Sequence, residues 1–277
     1  MRGLAYVPRR GLSRLVGKLV HAERPKVWAA LVKKILISKF NIDCSEAQWP
    51  VEQYPSFGAF FARRLKAGAR DFSGRGFLCP CDGKIEQWGK IVDGRLIQCK
   101  GRSYSLATLL NDHDMAARYE GGLFITIYLA PYNYHRVHWA VTGKMSLTRF
   151  VEGDFWPVNS TSVEHVSELF CRNERYISEQ KLEHGCVSTV MVAATNVGNM
   201  ELFHISTEQR RRLESAGGGM VDHRDQKDIA AGEEFGIFHM GSTVVMVLDR
   251  EASESYNWEV APLGVVKAGQ VLAASTT

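Results

Sequence analysis

Apolar positions near the start of the chain recur with the spacing of a helix. In KVWAALVKKILISKF, residues 26–40, Val27, Leu31 and Ile35 fall at i, i+4 and i+8, with Trp28, Val32 and Leu36 beside them. Lys26, Lys33 and Lys34 gather on the other side, so the stretch predicts one amphipathic helix. QYPSFGAFFARRL, residues 53–65, reads as a connector followed by a short second helix. From Gly76 onward the period changes to short alternating or wholly apolar runs punctuated by Gly and Asp-Gly. Lys84–Val92, Arg95–Cys99, Leu123–Leu129, Lys144–Val151, Val187–Val197 and Thr243–Leu248 are predicted strands. The fold class expected is α+β: a β-rich domain over residues 66–277, preceded by a helical segment over residues 1–65. Residues 201–232 are polar and charged around Gly217–Gly219, and predict an exposed loop or a helix with a mobile end.

Charge sharpens the reading of the first segment. Residues 1–40 carry ten basic side chains against one acid, Glu23, whereas the whole chain is only +4, so the remainder is net acidic. A basic head on an acidic body points to an anionic surface as partner. The basic stretch lacks interleaved aromatics for stacking on bases, so nucleic acid is not expected. No run approaches the roughly 18 apolar residues of a spanning helix. Two readings of residues 26–40 remain: a helix packed on its own core, or one lying on a lipid surface with Trp28 at the interface. In the second, each Lys or Arg near an anionic leaflet contributes about 1 kcal/mol. The six cysteines, at 44, 79, 81, 99, 171 and 186, form no CxxC pair and read as reduced, mostly buried thiols. The expected location is therefore the cytoplasmic face of the cell membrane, as a peripheral protein.

Three short segments carry candidate chemistry. His239-Met240-Gly241-Ser242-Thr243 precedes the apolar run VVMVL. Gly-Ser-Thr alone is usually a turn before a strand, but glycine permits the backbone distortion that brings a serine hydroxyl onto the preceding carbonyl. His135-Arg136-Val137-His138 follows LFITIYLAPYNY; two histidines three apart suggest surface residues, a metal pair or acid–base groups, and no third ligand stands at a convincing spacing. Asp82-Gly83 is first a turn signal, and gains interest only if Asp82 orients a histidine. Ser242, His138 and Asp82 would then form a nucleophile–base–orienter set.

Taken together, these segments belong to a longer series of blocks. FFARRL (60–65), PCDGKIEQWGKI (80–91), KGRSYSL (100–106), YLAPYNYHRVH (128–138), VEGDFWPVN (151–159), LFCRNER (169–175), VAATNVG (192–198), GEEFGIFHMGST (232–243) and VVKAGQ (265–270) occur in the order found in phosphatidylserine decarboxylase proenzymes, which the chain resembles over nearly its whole length. Met240 and Cys81 depart from the usual leucine and alanine, and residues 201–231 match poorly.

The resemblance implies a self-cleaving carboxy-lyase whose prosthetic group is made from the chain itself. Removing CO2 from an α-amino acid leaves an electron pair that no ordinary side chain can accept. The family's answer implies a pyruvoyl group derived from Ser242. His138, oriented by Asp82, takes the Ser242 proton; the alkoxide attacks the Gly241 carbonyl; and the resulting ester eliminates to dehydroalanine, which hydrolyses to pyruvoyl and ammonia. A large chain, 1–241, and a small pyruvoyl chain, 242–277, result. The pyruvoyl ketone then forms a Schiff base with phosphatidylserine, releasing CO2 and phosphatidylethanolamine, with His135 positioning substrate or delivering a proton. Implied partners are phosphatidylserine in anionic membranes and the two chains of the processed enzyme, with a homodimer compatible; no metal is implied. A lipid hydrolase is the rival reading, but the Gly-x-Ser-x-Gly elbow it usually shows is absent. A free-amino-acid decarboxylase would leave the basic head unexplained, and a non-enzymatic membrane module the blocks from 80 to 243.

Overall fold

The computed structural model describes residues 17–195, 200–223, 227–239, 242–258 and 264–276. Gly241 and Met240, the first sixteen residues and the end of the predicted 187–197 strand lie outside the described residues. The chain enters through helix α1 (Lys26–Phe40) and short helix α2 (Phe57–Phe61), capped by Ser56 Oγ accepting from the Ala59 N–H.

The strands that follow are β1 (Phe77–Leu78), β2 (Gly83–Lys90), β3 (Arg95–Cys99), β4 (Arg102–Ser105), β5 (Leu123–Leu129) and β6 (Arg136–His138). Next come β7 (Gly143–Val151), β8 (Arg175–Lys181), β9 (Cys186–Val192), β10 (Met200–Leu202), β11 (Gly218–Asp222) and β12 (Asp228–Ile229). The chain closes with β13 (Glu234–Phe238), β14 (Ser242–Leu248), β15 (Tyr256–Trp258), β16 (Val265–Val266) and β17 (Val271–Ser275). Among the described residues the main sheet runs β11-β7-β8-β9-β14-β5-β2-β16, and a small sheet runs β10-β13-β6. β14 is buried at every residue and lies between β5 and β9, antiparallel to both, which is why its sequence is apolar without alternation. The mixed helix-and-sheet architecture agrees with the α+β expectation.

Three details go beyond the sequence expectation. Of the two forms expected for residues 201–232 the helix is present, over Thr207–Ser215 with a Ser206/Gln209 capping box, and β11, which was not expected, pairs along β7. β8 was not predicted, because Arg175-Tyr-Ile-Ser-Glu-Gln looks polar yet is wholly buried. Its charges are satisfied internally, Arg175 by the carbonyls of Thr108, Leu109, Cys171 and Asn173, and Glu179 by Arg118, Tyr119 and Ser146.

The third is the orientation of α1. Val27, Trp28, Leu31 and Ile35 are 80%, 42%, 49% and 52% exposed, so this apolar face is turned outward. The inward face holds Ala29 and Lys33, and Lys33, expected on the solvated side, is buried. Its ammonium donates to the Tyr54 carbonyl and, at 3.0 Å, to that of Val51. A small residue and a hydrogen-bonded cation thus seat the helix on residues 51–54. α2 behaves differently, since Phe57, Phe60 and Phe61 are wholly buried in the same core as the sheet.

Candidate active site

Ser242 opens β14 opposite Leu129, the last residue of β5. Side chains alternate along a strand, so Ser242 and Val244 share a face, as do Val244 and its partner Met191. The small sheet packs on that face: a Cβ placed on Gly236 of β13 would lie 3.0 Å from Met191 Sδ. Ser242 therefore points toward the layer that carries β6. Its Oγ is buried and has no hydrogen-bond partner among the described residues. A buried hydroxyl without a partner is costly, on the order of 1–3 kcal/mol, and the fold retains it where a strand begins. Thr243 faces the opposite way, into a cavity of about 340 Å³ lined also by Thr126, Tyr128, Asn159 and Phe170. A larger cavity, of about 940 Å³, lies far from these groups, between α1 and residues 51–55.

The turn after β5 brings the first histidine to this point. Asn133 Oδ1 accepts from the Ala130 N–H at 2.7 Å, closing the turn directly after the strand. The His135 carbonyl then accepts from the Phe238 N–H at 3.1 Å. The segment joining β13 to β14 is thus gripped on both sides by residues 129–135, at Phe238 and at Ser242. His135 Nδ1 donates to the Asn133 carbonyl at 2.9 Å, because a carbonyl can only accept. Nε2 must then carry the lone pair, and it is buried without a partner. Phe61 of α2 packs on the imidazole with ring centroids 4.1 Å apart. Burial, offset in part by the Asn133 bond and assisted by the nearby Arg63 charge, lowers the His135 pKa to about 3.

His138 sits on β6, whose neighbour is β13. Its Nδ1 donates to the Gly232 carbonyl at 2.8 Å, and Nε2 accepts from the Tyr134 hydroxyl at 3.1 Å. Phe72 stacks on this ring at 4.5 Å as Phe61 does on the other. Gly232 is needed here: it has φ +85°, and a Cβ would come within 2.6 Å of Phe72. Burial lowers the His138 pKa, opposed by the Gly232 bond and the negative charges of Glu234 and Asp82. Both imidazoles are consequently neutral at pH 7.

Asp82 does not make the expected hydrogen bond to His138. Its carboxylate is taken by Arg70, through Nε at 2.8 Å and through Nη2, and Oδ1 also accepts from the Ala268 N–H at 2.9 Å. The two residues meet through the backbone instead, with the His138 N–H donating to the Pro80 carbonyl at 2.7 Å. The physical reason is competition: a guanidinium offers two parallel charged donors, which a neutral imidazole cannot match. Arg70 was missed by sequence reading because nothing in its spacing distinguishes it from a surface arginine. Asp82-Gly83 is not a turn between strands: the chain bends at residues 81–82 and Gly83 already opens β2, where a Cβ would strike the Tyr128 carbonyl at 2.5 Å.

All six cysteines are free; Cys79, Cys81 and Cys171 are buried and the other three half-buried. Burial pushes Cys79 and Cys171 up to about 12, which makes them packing groups rather than nucleophiles. No metal-binding group of three or more His, Cys, Asp or Glu occurs among the described residues, and no described helix is long and apolar enough to cross a membrane.

The neutral histidines have a measurable consequence. His135, wholly buried, and His204, half-buried, have pKa values lowered to about 3, chiefly by desolvation. As pH falls through about 6.5 the unfolded chain gains protons there and the native one does not, so stability falls with pH. The melting temperature should therefore drop between pH 7 and 5, above the titration of ordinary carboxylates, and His204→Gln should flatten that slope. A slope unchanged in the variant would contradict a His204 kept neutral in the folded protein.

Ser242, buried and without a hydrogen-bond partner among the described residues, thus faces the layer whose strand β6 and preceding turn carry two neutral histidines. Comparison with known proteins gives the class: a model of the phosphatidylserine decarboxylase family matches residues 57–274. Phosphatidylserine decarboxylase proenzymes from Shewanella sp. (strain MR-4) and Psychromonas ingrahamii are each 40% identical to it, covering 96% and 90% of this chain and 93% and 88% of their own. That of Anaeromyxobacter sp. (strain K) is 36% identical over 89% of the chain and 88% of its own length. The protein is an enzyme of the carboxy-lyase class. It belongs to the phosphatidylserine decarboxylase family.

Proposed function

We propose that the chain decarboxylates phosphatidylserine to phosphatidylethanolamine at a pyruvoyl group made from its own Ser242. The observation that carries this reading is the Ser242 Oγ, buried and unpartnered at the first residue of β14. The surroundings suit such a group, since the residue begins a strand, faces the histidine-bearing layer and is shielded from water. When formed, the pyruvoyl ketone supplies the electrophile that accepts the amine and the electron pair released with CO2.

The residues divide the work by their electrostatics. His138 takes the Ser242 proton at Nε2, displacing the Tyr134 hydroxyl, while its Nδ1–H stays on Gly232. The charges of Glu234 and Asp82 favour the imidazolium so formed, as a base requires. Asp82 thus acts through its field and through the Pro80 turn, held in place by Arg70. Ser242 Oγ forms a bond to the Gly241 carbonyl carbon, the peptide C–N bond breaks, loss of the Ser242 α-proton expels the Gly241 carboxylate to leave dehydroalanine, and one water converts this to the ketone with release of ammonia. Chains 1–241 and 242–277 result. His135, with Arg63 nearby, is poorly placed to hold a positive charge before substrate binds, and serves turnover by orienting the substrate and returning a proton to its α-carbon. Exclusion of water from the site favours loss of the carboxylate charge as CO2.

Residues 1–65 are the docking segment of this proposal and 66–277 the catalytic domain. Support comes from the outward apolar face of α1, flanked by exposed Arg24, Lys26 and Lys34. The double variant Trp28→Glu, Leu31→Glu should bind phosphatidylserine vesicles at least about tenfold more weakly in a sedimentation assay and still be processed. Unchanged vesicle binding would remove α1 from the docking surface.

The test of the function is direct. Purified protein should run as two pieces, the smaller with a blocked end, and release CO2 from phosphatidylserine vesicles but not from free serine. Hydroxylamine should abolish that activity. One unbroken, active polypeptide insensitive to hydroxylamine would overturn the reading.

A further inference from the structure

Arg63 is 5% exposed, and its Nε and Nη1 have no hydrogen-bond partner among the described residues. A guanidinium remains charged in a protein, so burial without an acceptor is among the costliest arrangements a fold can keep. Among the described residues no carboxylate lies within ion-pair distance of it. Asp82 is close enough to be felt, but its oxygens are held by Arg70 and the Ala268 N–H. The underside of the guanidinium rests on the Phe60 ring, 4.8 Å from its centroid, which holds the plane without satisfying its donors.

The position of this charge is defined by its two predecessors. Phe61 lies against His135, and the Ala62 carbonyl accepts from Arg136 Nε at 3.1 Å. Residues 61–63 therefore run along His135 and Arg136, and the Arg63 charge is near enough to act on the His135 imidazole, whose Nε2 also has no partner among the described residues. Arg63 also follows α2, on the side of the molecule that leads to α1. An unsatisfied cation and an unsatisfied imidazole nitrogen at one place require an anion that also offers a hydrogen-bonding group.

We propose that Arg63 is the receptor for the phosphodiester of the phospholipid headgroup, fixing the serine moiety between its guanidinium and His135. The inference rests on the reading that phosphatidylserine is the substrate. That molecule carries two anions, and chemistry chooses between them. A guanidinium clamped on the carboxylate would stabilise the charge that must be lost as CO2, binding the ground state more tightly than the transition state. Clamped on the phosphodiester, it binds a charge that is the same in substrate, transition state and product. Pairing also neutralises the cation beside His135, so the imidazole becomes easier to protonate when the headgroup is in place. Arg63 suits this task better than lysine because its planar fork matches two phosphate oxygens.

The test compares ligands with and without each anion on the processed enzyme. Glycerophosphoethanolamine has the phosphodiester and no carboxylate. Arg63→Gln should weaken its binding by about tenfold to a hundredfold in calorimetry, and raise the KM for short-chain phosphatidylserine by a similar factor. kcat should change far less, chain scission should proceed, and Arg63→Lys should recover part of the affinity. An unchanged Kd for glycerophosphoethanolamine with a raised KM would assign Arg63 to the carboxylate and overturn the proposal. So would folded Arg63→Gln that fails to split, or inorganic phosphate competing as well as the diester. Should Arg63→Gln not fold, Arg63→Lys, with its charge kept and its fork lost, must show the same paired weakening to a smaller degree. If wild-type enzyme releases no CO2 from phosphatidylserine, the parent reading fails, while the calorimetric comparison still decides what Arg63 binds.

Discussion

Ser242→Ala is expected to remain one chain of 277 residues and to release no CO2 from phosphatidylserine. Without Oγ there is no nucleophile for the Gly241 carbonyl, and without scission there is no ketone. The variant is informative because its fold should be undamaged. Ser242 is wholly buried in β14 opposite Leu129, and its hydroxyl has no hydrogen-bond partner to lose among the described residues. Alanine keeps the strand geometry and removes an unsatisfied polar atom that costs on the order of 1–3 kcal/mol. The melting temperature of the uncut variant should therefore match or exceed that of an unprocessed wild-type control. Loss of scission with retained stability would identify a chemical role; an alanine variant that still splits between residues 241 and 242 would remove Ser242 as nucleophile.

The second large effect separates the two histidines. His138→Ala should slow scission by about 10²–10⁴-fold, the usual cost of removing a general base. His135→Ala should split and then lose turnover by a comparable factor. The grounds for the difference are electrostatic. Burial lowers both pKa values, but at His138 the Gly232 bond and the charges of Glu234 and Asp82 work against that lowering, with Arg136 on the other side, whereas at His135 Arg63 adds to it. The readouts are the rate of appearance of the small chain on a denaturing gel and CO2 release by protein already cut. Processing blocked by His135→Ala and untouched by His138→Ala would reverse the assignment. Their free Nε2 states differ in the uncut chain, His135 being open and His138 covered by Tyr134, so Tyr134→Phe should change the scission rate without affecting the decarboxylation of cut enzyme.

Much of this was legible in one dimension. β5 coincides with its predicted span and β14 begins one residue before its own, because strands buried along nearly all their length leave apolar runs; β3, only half-buried, coincides with its span too. The blocks around Asp82, His135, His138 and Ser242 pointed to one family, and the comparisons agree. β8 was illegible because its buried polar residues are matched by carbonyls and side chains from distant elements. α1 was read correctly as a helix, but which face it buries depends on the carbonyls of Val51 and Tyr54, which recruit Lys33.

Local order therefore determined the elements, the reduced cysteines and the short list of reactive groups, since periodicity and residue chemistry act over a few positions. Only the tertiary structure decided who holds whom: Arg70 rather than His138 on Asp82, Gly232 and Tyr134 on His138, Phe61 on His135, and nothing on Ser242 Oγ or on two nitrogens of Arg63. Hydrogen bonding and desolvation are set by three-dimensional neighbours, and those neighbours can lie 186 positions apart in the chain, as Asp82 and Ala268 do.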